Sequence, residues 1–240
     1  MSYIGTTKIG KMFLGSTEIG KAYLGTTPVF QKGGGLPYTP VDYIETDGTA
    51  YINTGIKGNA PMSMKSRMVP VAPSSGNSYI CGCRKDTGDT RFTFVMVASG
   101  KTAGPAYKNA SYTTDVDVSQ SVNNGTIMVA QAILAAGDQK FYIKQDGESS
   151  YTSKSHTIAG TITTDTDIYL FAINNHGTTG VCAAGTKVNT LKLYNDKTWT
   201  NLILDLESCY YNGEYGMWDH VSDTFFGNAA VSGAFTGPSI

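Results

Sequence analysis

The chain has 240 residues and a net charge of −1, with 28 glycines, 15 tyrosines, 40% hydrophobic residues and only 15% charged ones. This excludes a helical bundle or coiled coil, which would be rich in Ala, Glu, Lys, Leu and Arg, a disordered chain, and collagen, since there is no Gly-X-Y period. The near-zero charge gives no global drive toward nucleic acid, and no apolar run reaches the roughly 20 residues of a membrane span, the longest being residues 127–136, interrupted by Gln131.

The N-terminus repeats with a period of ten residues. Tyr3-Ile4-Gly5-Thr6-Thr7-Lys8-Ile9-Gly10-Lys11 aligns with Phe13-Leu14-Gly15-Ser16-Thr17-Glu18-Ile19-Gly20-Lys21, and again with Tyr23-Leu24-Gly25-Thr26-Thr27-Pro28-Val29. The pattern predicts short strands, including one over residues 18–24, with Gly25-Thr26-Thr27 reversing the chain. About 30 residues fall short of the roughly 40 that a lone domain needs. Residues 1–32 are therefore expected to be a docking and oligomerisation arm, with Ile4, Ile9, Leu14, Ile19, Leu24 and Val29 as its apolar positions. A meander completing the following domain is the alternative. Gly33-Gly34-Gly35 reads as a hinge, and residues 36–240 as the main domain. Met1 to Gly5 lacks the basic and apolar regions of a secretory signal, so the chain is expected to stay in the cell that makes it or to leave by lysis.

Strand signals follow at short intervals. Residues 49–54 alternate after the turn dipeptide Asp47-Gly48, 91–97 are mostly apolar, and 139–145 alternate up to a hairpin signal at Asp146-Gly147. Residues 127–134 fit helix or buried strand by periodicity and are read as strand. Residues 167–173 read as one buried strand leading into an Asn174-Asn175-His176-Gly177 loop, and 188–194, 202–206 and 216–218 as further strands. No stretch offers an amphipathic helix. The expected fold is all-β, an antiparallel β-sandwich of the jelly-roll kind preceded by a small β-repeat arm. Cys81, Cys83, Cys182 and Cys209 have no zinc-type spacing and read as small buried hydrophobes.

The opening Leu36-Pro37-Tyr38-Thr39-Pro40-Val41-Asp42-Tyr43-Ile44, running on to Thr49-Ala50-Tyr51-Ile52-Asn53-Thr54-Gly55-Ile56, resembles the first strands of laminin-G-like, concanavalin-A-like jelly rolls. So do Ile168-Tyr169-Leu170-Phe171, Leu191-Lys192-Leu193-Tyr194 and the close, Gly216-Met217-Trp218-Asp219 with Asp223-Thr224-Phe225-Phe226-Gly227-Asn228. Such domains occur in virion proteins of phages and prophages of gut bacteria, and the ten-residue repeats resemble N-terminal anchoring repeats of phage structural proteins. The chain departs from the family's basic, proline-containing stretch at residues 205–211.

Laminarinase-type hydrolases of similar shape carry three acids spaced E-x-D-x-E on one strand face. Here Asp205 and Glu207 fill two of those places, but Ile203 fills the first, and a retaining glycosidase needs its full carboxylate pair. His156, His176 and His220 come without a G-x-S-x-G elbow. No catalytic residue, cofactor or metal site is expected. Binding is favoured, with Trp199 and the loop Asn174, Asn175 and His176 as candidate glycan contacts; Trp218, Phe225 and Phe226 read as core. The resemblance implies a virion-surface component, a capsid head fibre or decoration or a tail fibre. Its arm would dock on capsid or tail proteins of the same particle, as a homo-oligomer with a trimer expected, and its jelly roll would face host or mucosal glycans. It implies neither nucleic-acid binding nor membrane insertion. A glycoside hydrolase and a bacterial surface adhesin are the alternatives.

Overall fold

The computed structural model describes residues 36–85, 91–97, 101–108, 120–121, 125–135, 137–157 and 163–240, together with paired segments between residues 3 and 31. The backbone divides into two units, Met1–Thr39 and Pro40–Ile240.

The first unit holds three hairpins. β1 (Tyr3–Ile4) pairs with β2 (Thr7–Lys8), β3 (Phe13–Leu14) with β4 (Thr17–Glu18), and β5 (Lys21–Leu24) with β6 (Thr27–Gln31). The sequence repeat is also a register repeat: Tyr3↔Lys8, Phe13↔Glu18 and Tyr23↔Pro28 occupy equivalent places, as do Ile4↔Thr7, Leu14↔Thr17 and Leu24↔Thr27. The strand expected over residues 18–24 is not one ladder, because Glu18 pairs back to Phe13 while Lys21–Leu24 pairs forward. Closing a hairpin between neighbouring strands needs only a short loop, which is the cheapest pairing in chain entropy. Ile9, Ile19 and the glycines at 33–35 lie outside the described residues; Ile4, Leu14, Leu24 and Val29 lie on strands. β7 (Thr39–Pro40) spans the boundary between the units.

The second unit is a sandwich of two sheets, and no helix occurs among the described residues. The larger sheet is built from β8 (Ile44–Thr46), β10 (Met62–Val69), β15 (Met128–Ala135), β16 (Asp138–Gln145), β17 (Thr152–His156), β21 (Lys187–Tyr194), β22 (Leu202–Tyr211), β23 (Glu214–Asp219), β24 (Thr224–Phe226) and β25 (Phe235–Thr236). Its order is β17–β16–β15–β10–β21–β22–β23–β24, with β8 paired to β21 and β25 to β8. The smaller sheet holds β9 (Ile52–Asn59), β11 (Asn77–Arg84), β12 (Arg91–Val97), β13 (Lys101–Lys108), β14 (Gln120–Ser121), β18 (Thr163–Leu170), β19 (Ala172–Asn175) and β20 (Thr178–Val181). It runs β14–β13–β12–β11–β18–β9, with β19 beside β11 and β20 beside β19.

The core lies between the sheets and follows strand alternation. β10 contributes Met62, Met64 and Met68, β15 Met128, Ala130, Ala132 and Leu134, and β16 Phe141 and Ile143. Phe94 of the smaller sheet meets Phe141 of the larger with ring centroids 5.5 Å apart. Each such fully buried aromatic or aliphatic side chain stabilises the fold by about 1.5–3 kcal/mol. The four cysteines are free and buried. Burial pushes the Cys83 thiol up to about 11, so it stays protonated near neutral pH.

Two expectations need correction. Residues 167–173 do not form one strand, because Phe171 adopts φ +64° and ends β18. After it the chain turns back, so that β18 pairs antiparallel with β11 (Cys81↔Leu170) whereas β19 runs parallel to it (Cys83↔Asn174). A bulky residue in the left-handed region costs about 1–3 kcal/mol. Here the ring is fully buried, 5.2 Å from Phe235, and the backbone is held by Phe171 N–H to the Ile80 carbonyl (2.7 Å) and Cys182 N–H to the Phe171 carbonyl (3.0 Å). The expected Asn174–Gly177 loop is likewise shorter, since Asn174 and Asn175 end β19 and only His176-Gly177 turns, both with positive φ.

Asp47 joins the start of the sandwich to its end. Its Oδ1 accepts from Thr49 N (2.8 Å) and Ala50 N (2.9 Å), and its Oδ2 from Ala234 N (2.8 Å). Desolvation, the largest single influence, works against ionisation, but these amides together outweigh it and bring the pKa to about 2. The folded pKa lies below the unfolded value, so the contribution is present above about pH 4 and is lost as pH falls through 2. Asp47→Ala should therefore flatten the stability loss between pH 4 and 2, measured by urea unfolding at each pH. A second test concerns Gly82, where an added Cβ would sit 2.5 Å from the Phe92 carbonyl oxygen and 2.9 Å from Thr93 Cα. Both obstacles are backbone, so Gly82→Ala should lower the unfolding free energy by about 1–3 kcal/mol, seen as a lower urea midpoint at unchanged slope.

Candidate functional site

Strand alternation that sends the methionines of β10 inward sends Ser63, Lys65 and Arg67 outward. Cross-strand register then assembles a row over five strands of the larger sheet. Tyr142 lies opposite Gln131, Gln131 opposite Lys65, Lys65 opposite Lys192, and Lys192 opposite Asp205. The neighbouring row runs Lys144, Val129, Arg67, Thr190, Glu207. Lys192 Nζ donates to Asp205 Oδ2 at 2.8 Å, and Glu207 Oε2 lies 3.0 Å from His220 Nε2.

Trp199 reaches this face from the β21–β22 loop. Asp196 organises that loop: Oδ1 accepts from Thr198 N (2.7 Å), and Oδ2 accepts from Thr200 N (3.1 Å), Thr200 Oγ1 (2.9 Å) and Asn201 N. Some desolvation opposes ionisation, but the amides of Asn201, Thr198 and Thr200 outweigh it and hold the carboxyl far below the usual range. This fan of bonds supports Trp199 at φ +56°.

An aromatic and cationic cluster results. Lys65 Nζ lies 4.8 Å from the Trp199 ring centroid and 5.8 Å from that of Tyr194. Tyr142 meets Trp199 edge to face at 6.1 Å and Tyr151 at 6.4 Å. Tyr151, 40% exposed, is held by Gln131 Nε2 donating to its hydroxyl at 3.1 Å, with Lys144 Nζ 6.0 Å from its ring. Trp199 Nε1 and Ser63 Oγ are buried without a hydrogen-bond partner. On the same sheet Arg67 also lines a cleft of about 570 Å³ with Asp42, Tyr43, Lys187 and Asn189. There Lys187 Nζ stands 4.2 Å over the Tyr43 ring and 3.4 Å from Glu45. No group of acidic, histidine or cysteine side chains able to hold a metal occurs among the described residues.

The expected contacts do not form one site. Trp199 lies on the larger sheet, whereas Asn174, Asn175 and His176 belong to the β19–β20 hairpin of the smaller. Asn174 is buried and spends its amide internally, donating to the Asp167 carbonyl (3.1 Å) and accepting from Gly177 N (3.1 Å). His176 is exposed at the turn. Trp218, in contrast, packs on Tyr211 with centroids 5.4 Å apart, and Phe226 packs on the core. Lys65, Gln131, Tyr142 and Tyr151 were not anticipated from sequence. Their signal was present as polar places in alternating strands, but only register brings them together.

No protein-family model matches the chain, and no curated protein sequence does. Solved structures with a similar fold include the SAP-like pentraxin from Limulus polyphemus (13% identity, 69% of this chain and 74% of that one, TM-score 0.41). A second is the Ruminococcus gnavus IT-sialidase CBM40 bound to α2,3 sialyllactose (10% identity, 65% and 91%, TM-score 0.45). A third is the enzymatically active domain of bacteriophage CBA120 tailspike protein 2 (12% identity, 73% and 32%, TM-score 0.46).

The loop geometry yields a direct test. Asp196→Ala should leave the sandwich folded but release the amides of Thr198, Thr200 and Asn201. Their hydrogen exchange should then accelerate while that of β21 and β22 stays unchanged.

Proposed function

We propose that the sandwich is a lectin-like module that binds glycans on the outward face of its larger sheet, with Trp199 as its central contact. The observation that carries this reading is the cluster of Trp199, Tyr142, Tyr151 and Lys65, in which sheet residues meet a ring from a loop braced by Asp196. Sugar rings present C–H faces that suit aromatic surfaces and hydroxyls that suit lysine and amide groups. In this reading the module is not an enzyme. Ile203 stands where a third acid would be needed, and Asp205 is engaged by Lys192 at 2.8 Å.

We further propose that the protein is a phage particle component, a head fibre or decoration or a tail fibre, exposed on the virion surface. Residues 1–32 would dock it on capsid or tail proteins as a homo-oligomer, with residues 33–35 as hinge. The sequence resemblance of residues 36–56 and 216–228 to virion jelly rolls and the repeated hairpins support this, because isolated two-stranded hairpins are marginal in water and gain stability from a surface to pack on. Trp199→Ala should weaken binding to any retained glycan by about tenfold or more, measured by calorimetry, with an unchanged melting temperature. Deleting residues 1–32 should leave a folded domain absent from purified particles; full occupancy of the truncated protein on particles would refute the docking role.

A further inference from the structure

The outward face of the larger sheet is unequal in its charges. Lys192 is engaged by Asp205, Lys187 lies 3.4 Å from Glu45, and Arg67 lies 4.0 Å from Asp146. Lys65 differs: its ammonium is held over the rings of Trp199 and Tyr194, and among the described residues it has no carboxylate and no hydrogen-bond acceptor. An ammonium has three donors and no acceptor, so ring contact leaves all three for a ligand. Lys144, one row away and over Tyr151, adds a further cation without a carboxylate among the described residues. Among its described side chains the cluster thus carries two ammonium groups and no carboxylate. A neutral sugar hydroxyl, which both gives and takes, uses such a site poorly, whereas an anionic oxygen uses it fully.

We infer that this site takes an acidic glycan, one whose sugar carries a carboxylate, with that carboxylate on the Lys65 ammonium and the sugar ring against Tyr142 and Tyr151. The inference rests on the glycan-binding reading above and narrows its ligand class. Lys65 is positioned for this by the strand opposite, since Gln131, its ladder partner, holds the Tyr151 hydroxyl and so sets the far wall of the site.

The test uses the full chain on a panel in which each of several sugar backbones is present in neutral, carboxylated and sulfated forms. Carboxylated forms should bind about tenfold or more tightly than their neutral counterparts. Raising salt from about 0.05 to about 0.5 M should erode that advantage. Lys65→Met should bring carboxylated binding down to the neutral level with an unchanged melting temperature, and Lys65→Arg should retain it. Neutral and carboxylated forms bound equally, and both lost in Trp199→Ala, would overturn the acidic ligand while keeping the lectin reading. Binding of sulfated forms alone would overturn the carboxylate. Retention of no glycan in any form would overturn both readings.

Discussion

The period of two along a β-strand governs this molecule. The central strands of the larger sheet give alternate residues to a core of Met, Phe, Leu, Ile, Val and Ala, and the core admits them in one register only. The residues in between are thereby fixed on the other face, lined up across strands. Lys65 stands beside Gln131 and Lys192 because Met64 has to meet its own neighbours inside. The polar row is the reverse side of the core, and its geometry is as rigid as the packing that sets it.

Trp199 adds what alternation cannot. A side chain from a loop covers the sheet face, and the backbone there adopts a conformation that L-residues avoid. Asp196 makes it stable by gathering the amides of Thr198, Thr200 and Asn201 onto one carboxylate. Phe171 solves the same problem differently, by burying its ring completely. In one case a charged hydrogen-bond fan offsets the strain, in the other a hydrophobic contact does.

Most strands were legible because alternation and turn dipeptides are local. Residues 139–145 with Asp146-Gly147 are found as read, as are 91–97, and 202–206 merely extends to Tyr211. The break at Phe171 was not legible, since an apolar run carries no mark of backbone handedness. Asn174 looked like a ligand contact because asparagine bonds well, but the same amide completes the turn it sits beside. Trp199 was visible as a tryptophan in a polar stretch. Its companions were not, because Lys65 lies dozens of residues from Gln131 and Tyr142 and meets them only through register.

The N-terminal hairpins have a different implication. Each described hairpin pairs two strands that are neighbours in sequence, so no described hairpin borrows a partner strand from another. A gene segment encoding such a unit can be duplicated or lost whole, in frame, without disturbing the pairing of what remains. The length of this segment is thus open to evolutionary change in steps of one repeat, while the sandwich, whose strands pair between distant parts of residues 40–240, admits no such editing.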